Sequence, residues 1–312
     1  MITHYAEQGI VAVDTHYLRP GLDASHIMIR DNRAAIIDCG TRDSIPHVLD
    51  GLAACGLQRS DVDYLIVTHV HLDHAGGAGH LMEALPSAKL LVHPRGARHM
   101  IDPSKLWAGA SEVYGPDSME KLYGAMLPIA PERVIETQDG QKFPLANAWI
   151  EFLHTPGHAK HHHSVWDPAT RSLFTGDTFG LAYPTFTTQS GPFIFPTTTP
   201  VHFDPEAMKS SIQRFMGLAP RAAFLTHYGR VEAVERLAHI LLQRLEEHVA
   251  IAEAAKKLPS DQQKTAIKAA LSTTLLNSLK NHGVLHDEHL SLDWWETDLE
   301  LNAQGLAHWI GT

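Results

Sequence analysis

Short apolar runs separated by glycines and polar turns fill the first two-thirds of the chain, and a different rhythm begins after residue 230. Residues 34–40, AAIIDCG, are apolar without alternation and end on glycine, which predicts a buried strand and a turn. Residues 44–55 put Val48, Leu49 and Leu52 on one helical face, with Gly56 as the stop. YLIVTH, 64–69, reads as the next strand, and a helical pattern follows from 75 to 85. Further strands are expected near 89–92, 133–136, 148–153, 163–166, 172–175 and 222–225, with the DPATRS turn at 167–172 closing a hairpin. From 231 to 257 there is neither proline nor glycine, and Leu237, Ile240, Leu241, Leu245 and Val249 recur at three- and four-residue spacing. That is a long helix. Two more helical segments follow, 261–280 and 292–310. The pattern predicts a mixed α/β catalytic region over 1–230 and a helical appendage over 231–312, not a second catalytic unit.

Composition narrows the class. Across 312 residues, 25 Lys+Arg stand against 35 Asp+Glu, a formal charge of −10, which disfavours nucleic-acid phosphates as partners. No run of 18 apolar residues predicts a membrane span, and the first residues lack the pattern of a secretory signal. Cys39 and Cys55 are far apart, without C-x-x-C spacing, and read as small buried hydrophobes of a cytoplasmic protein. The outlying number is 23 histidines.

Four candidate ligands crowd VTHVHLDHAGG at 67–77, just where a strand should end. In extended chain, residues two apart point the same way, so His69 and His71 can converge on one ion. Asp73 and His74 would open the next helix, where a carboxylate is favoured. Imidazole with carboxylate suits zinc, iron or manganese. Downstream, His158 sits in HTPGHAKHHHS, Asp177 follows a strand in LFTGDT, and His227 follows a strand in FLTHYG. Each lies just past a strand, where loops of one sheet edge meet.

T-H-x-H-x-D-H followed in order by T-P-G-H, T-G-D and T-H-x-G resembles the metallo-β-lactamase fold superfamily over roughly residues 8–230. The resemblance implies a four-layer αβ/βα sandwich with the site at one edge and two divalent ions, zinc first, with iron or manganese as alternatives. It further implies that His69, His71 and His158 hold one ion, that Asp73, His74 and His227 hold the other, and that Asp177 bridges them. True β-lactamases commonly have cysteine near the Asp177 position, so antibiotic hydrolysis does not follow. The layout is similar to glyoxalase II-type thioesterases and to lactonases.

The expected function is hydrolysis of an ester, thioester or lactone of small-molecule size by a hydroxide bridging the two ions, with Asp73 orienting it and relaying its proton. The rival readings are an iron-dependent enzyme resembling persulfide dioxygenases and a metal-containing signalling effector with little turnover. His162, four after His158, is expected to steady ligands by hydrogen bonding, while His161 and His163 read as solvent or packing residues. Tyr183 and Tyr228 are expected hydrogen-bond donors to substrate. The aromatic-rich segment 181–200 is either a pocket wall or lid, or a cover for the core. Trp294 and Trp295 would anchor the last helix or form a homodimer interface.

Overall fold

A computed structural model describes residues 1–284 and 292–312. It resolves into two compact units: Met1–His154 with His161–Gly176 and Pro220–Arg230, and Thr155–Lys160 with Asp177–Ala219 and Val231–Thr312.

The first unit is a sandwich of two sheets. One holds seven strands in chain order: β1 (Ile2–Tyr5), β2 (Ile10–Asp14), β3 (Ala24–Arg30), β4 (Arg33–Ile37), β5 (Val62–Val67), β6 (Lys89–Val92) and β7 (Val134–Glu136). β1 to β4 are antiparallel hairpin neighbours, whereas β4, β5, β6 and β7 run parallel. The other sheet is ordered β13-β12-β11-β10-β9-β8, from β8 (Lys142–Leu145), β9 (Ala148–His154), β10 (His163–Asp167), β11 (Ser172–Phe174), β12 (Ala222–Leu225) and β13 (Gly229–Val231).

Alternation along the strands feeds two cores. Ile36, Leu65, Val67, Leu90 and Val92 face one way, toward Val48 and Leu52 of α1 (Ile45–Ala54). The same core takes Leu81 and Met82 of α3 (Ala78–Ala84) and Ala97 and Met100 of α4 (Pro94–Ile101). Ala35, Ile37, Ile66 and Leu91 face the other way, against Ile150, Phe152, Val165, Phe174 and Phe224 of the second sheet. Burial on both faces is why these strands read as unbroken apolar runs.

The helical pattern expected over 75–85 is two pieces, α2 (Leu72–Ala75) and α3, parted at Gly76 and Gly77. A Cβ on Gly77 would lie 2.5 Å from the Thr41 carbonyl oxygen, so the chain passes too close there for any side chain. Three helices not expected from sequence, α4, α5 (Ser104–Tyr114) and α6 (Pro116–Leu122), fill the crossover between β6 and β7.

The second unit is built from α7 (Pro205–Leu218), α8 (Val234–Ala255), α9 (Ser260–His282) and α10 (Glu296–Gly311). α8 buries Leu237, Leu241, Leu245 and Ala252, and α9 buries Ile267, Leu271, Leu275 and Leu279, the stripes that pack helix on helix. Phe186, Phe195 and Tyr183 surround fully buried Trp295, with ring centroids 4.6, 5.5 and 5.5 Å from it. The aromatics of segment 181–200 therefore cover this core, and Trp295 anchors the start of α10. Asn302 of α10 accepts a hydrogen bond from the Thr198 amide (2.7 Å) and donates to the Pro196 carbonyl (2.9 Å), fixing the far end of that segment. No described helix is long and apolar enough to cross a membrane.

Candidate metal centre

β5 is central and parallel to both neighbours, so the turn after it opens at the C-terminal edge of the sheet, where the loops of parallel strands gather functional groups. His69 and His71 sit on that turn, and Asp73 and His74 lie in α2. His227 lies two residues beyond β12. His69 Nε2 and His71 Nδ1 are 3.0 Å apart, close enough for both to reach one zinc-sized ion at about 2.0–2.1 Å. Ligand atoms of Asp73, His74 and His227 all lie within 4.8 Å of one another, close enough to share an ion. Asp73 Oδ2 is 3.5 Å from His74 Nε2 and 3.6 Å from His227 Nε2. The His74 side chain is fully buried, that of His227 is 11% exposed and that of Asp73 is 23% exposed, so the carboxylate is the most exposed member of this group.

The donor set fits a divalent cation: histidine nitrogens and a carboxylate oxygen lie within 4.8 Å of one another.

Two carboxylates that the sequence did not single out hold this cluster. Asp38, at the exit of β4, accepts hydrogen bonds from the Thr68 amide (2.7 Å), the Thr68 hydroxyl (2.9 Å) and the Thr226 hydroxyl (2.7 Å). Thr68 precedes His69 and Thr226 precedes His227, so one carboxylate sets both ligand turns. The threonine that opens each T-H motif was the available signal. Burial pushes the Asp38 carboxyl up, and the His74 ring and the threonine donors pull it back. Asp23 lies with Oδ1 2.5 Å from His227 Nδ1, and its carboxyl is also pushed up by burial, against the pull of His227.

His162 is fully buried, its ring 5.1 Å from that of His69. His161, expected as a solvent or packing residue, is also buried: its ring is 5.5 Å from that of His71, and its Nδ1 accepts a long 3.5 Å contact from the Val70 amide. The Tyr228 hydroxyl points to Asp14 Oδ2 at 3.5 Å, and burial with the nearby Asp14 charge raises its pKa. Cys39 is buried beneath the turn and its thiol is pushed up by burial; Cys39 and Cys55 are both free.

His158 and Asp177 belong to the second unit. Their side chains approach to 3.5 Å, Nε2 to Oδ2. Thr197 hydrogen-bonds to His158 Nδ1 (3.0 Å) and donates to the Asp177 carbonyl (2.8 Å), so segment 181–200 also reaches these residues. The glycine of T-P-G-H has a local reason: at φ +135° a Cβ on Gly157 would lie 2.3 Å from Met208 Cα of α7. The Tyr183 hydroxyl donates to Asp298 (3.1 Å).

The family model for the metallo-beta-lactamase superfamily matches residues 20–227. A metallo-beta-lactamase fold-containing protein of Sulfurisphaera tokodaii is 29% identical over 218 residues, 68% of this chain and 75% of that one. An acyl-coenzyme A thioesterase of Gallus gallus is 27% identical, over 54% of this chain and 62% of that protein. A hydroxyacylglutathione hydrolase of Aeromonas hydrophila is 28% identical, over 51% of this chain and 48% of its own length. Among solved structures, a metallo-beta-lactamase family protein of Thermus thermophilus matches 97% of this chain and 92% of its own with a TM-score of 0.68; at 19% identity the likeness is one of fold.

Proposed function

Since the chain belongs to the metallo-beta-lactamase superfamily, we propose that it is a dinuclear metal-dependent hydrolase of a thioester, ester or lactone. The observation that carries the reading is the convergence of Asp73, His74 and His227 on one point beside the His69–His71 pair. In this proposal His158 would join His69 and His71 in holding one ion, Asp177 would be a ligand shared with the second, and the catalytic region is 1–230. The thioesterase and hydroxyacylglutathione hydrolase relatives support a thioester as the first substrate class to try.

When bound, two divalent ions would supply a lowered water pKa and polarisation of a scissile carbonyl. The residues do the rest. His69, His71, His74 and His227 fix the ligand geometry, Asp38 locks the two turns that carry them, and Asp73, the most exposed member of its group, accepts and passes on a proton at Oδ2. In the same proposal His162 steadies its neighbouring ligand, His69. Tyr183 or Tyr228 would reach substrate by giving up its bond to Asp298 or Asp14.

The test is metal content of protein purified without added metal, followed by turnover of acyl-coenzyme A, hydroxyacylglutathione and lactone substrates. The expected result is about two zinc or manganese ions per chain, with hydrolysis in one class. Asp73→Asn should lower kcat about 10²–10⁴-fold in that assay. One iron per chain with oxygen-dependent thiol oxidation overturns the hydrolase reading. Two bound ions without turnover across the panel favours a signalling effector.

A further inference from the structure

We infer that Asp23 is a positioning residue that fixes His227 as an Nε2 metal ligand, by holding the proton of its ring on Nδ1. The inference rests on the metal reading above.

Asp23 is fully buried, and its Oδ1 lies 2.5 Å from His227 Nδ1. The other face of the ring presents Nε2 to the cluster, 3.6 Å from Asp73 Oδ2. A neutral imidazole carries one N–H, and a carboxylate against Nδ1 decides that it sits there, leaving the Nε2 lone pair for an ion.

The backbone around Asp23 is fastened on both sides, which fixes the point from which its carboxylate projects. The Thr15 amide and hydroxyl donate to the Asp23 carbonyl (3.0 and 3.2 Å), and the Ala24 amide donates to the Thr226 carbonyl (2.8 Å), one residue before His227. The loop leading to Asp23 is itself clamped: the amides of His16 and Gly21 both donate to Asp14, each at 2.8 Å.

The contrast with Asp38 assigns the role. Asp38 is satisfied by three threonine donors, and holds backbone and hydroxyls. Neither oxygen of Asp23 meets a hydrogen-bond donor in ideal geometry among the described residues, and the 2.5 Å approach of His227 Nδ1 to Oδ1 is the close polar contact it has to a side chain. A buried carboxylate with one partner is costly unless that partner is a strong donor. An imidazole N–H polarised by an ion on its opposite nitrogen is such a donor. The sequence hides this because Asp23 is remote from every motif and sits in a polar stretch ahead of β3.

The test uses the full chain stripped of metal by chelation, with zinc alone as the probe. Stepwise zinc affinities are read by competition with a chromophoric chelator in wild type, Asp23→Asn and Asp23→Leu, and long-range ¹H–¹⁵N spectra of the zinc-free proteins report the His227 tautomer. In the expected result both variants bind one zinc as wild type does and lose about 10–100-fold on the other. The wild-type spectrum shows His227 protonated at Nδ1, and Asp23→Leu shifts it toward the other tautomer. Wild type binding two zinc ions, with Asp23→Asn and Asp23→Leu indistinguishable from it, overturns the inference and leaves the metal reading standing. Wild type binding no zinc sinks both. If the variants fail to fold, the wild-type spectrum decides: His227 unprotonated at Nδ1 overturns the role of Asp23.

Discussion

His26 stands in an aromatic wall, its ring 5.6 Å from Phe174 and 5.5 Å from Phe224, with no hydrogen-bond partner at Nε2 among the described residues. Burial pulls its pKa down to about 3, so it is neutral in the folded protein at ordinary pH. The unfolded chain binds a proton near pH 6.5 and the native one does not. Stability from this residue is therefore full above pH 6.5 and falls as pH drops from 6.5 toward 3, by ~1.4 kcal/mol per unit. His26→Leu should flatten the loss of unfolding free energy between pH 7 and pH 5 by about that slope in denaturant titrations; an unchanged slope would remove His26 from the account. His162 sits under a different constraint. At φ +51°, Gly176 brings the backbone so near that a Cβ there would lie 2.4 Å from His162 Nε2. His162→Ala should weaken zinc affinity or activity about 10–100-fold while metal is still bound. Zinc binding and turnover both at wild-type level would make His162 a packing residue. The cluster of candidate ligands was legible as a cluster because only a few residue types bind an ion and their spacing is distinctive. Asp23 and Asp38 were not, since a single carboxylate near a strand end looks the same whether it faces water or a buried ring.

Among the elements, α7 has the clearest start signal and was nevertheless missed. Asp204 caps it, accepting from the Ala207 amide at 3.0 Å, with Pro205 next and Glu206 in the first turn. The helix adds an apolar stripe at helical spacing in Met208, Ile212 and Phe215. Its function is to hold the T-P-G-H loop: Asp204 donates its amide to the Gly157 carbonyl (2.8 Å), and the Ser211 hydroxyl donates to the Pro156 carbonyl (2.7 Å). Asp204→Ala should cost about 1 kcal/mol of stability in chemical unfolding. An unaltered midpoint would show the cap to be idle. The strands at 34–40, 64–69 and 148–153 were legible as short apolar runs, and they match β4, β5 and β9 closely. β3 escaped because polar residues, among them His26 and Ser25, interrupt its apolar pattern while being buried themselves. The long helices after 230 were read within a few residues, since each keeps an unbroken apolar stripe.

At the scale of the molecule, the sandwich and the C-terminal helices follow from periodicity together with the family resemblance, whereas the division into two units was not legible. Local pattern says nothing of which loop joins which compact body. The first unit has a further consequence through the turn that bears His69 to His74. The Cys39 amide bonds to the His74 carbonyl and the Gly77 amide to the Gly40 carbonyl, each at 2.9 Å, while the His163 amide bonds to the Thr68 carbonyl at 2.9 Å. Opening that turn therefore means breaking bonds to two other segments, and the protein should keep it shut with or without an ion. Deuterium uptake provides the clock. The Cys39 and Gly77 amides should exchange at similar rates in zinc-free and zinc-loaded protein, both slowly, because the ion enters a socket already set. A slowing of more than about tenfold on loading would mean that the ion builds the socket instead.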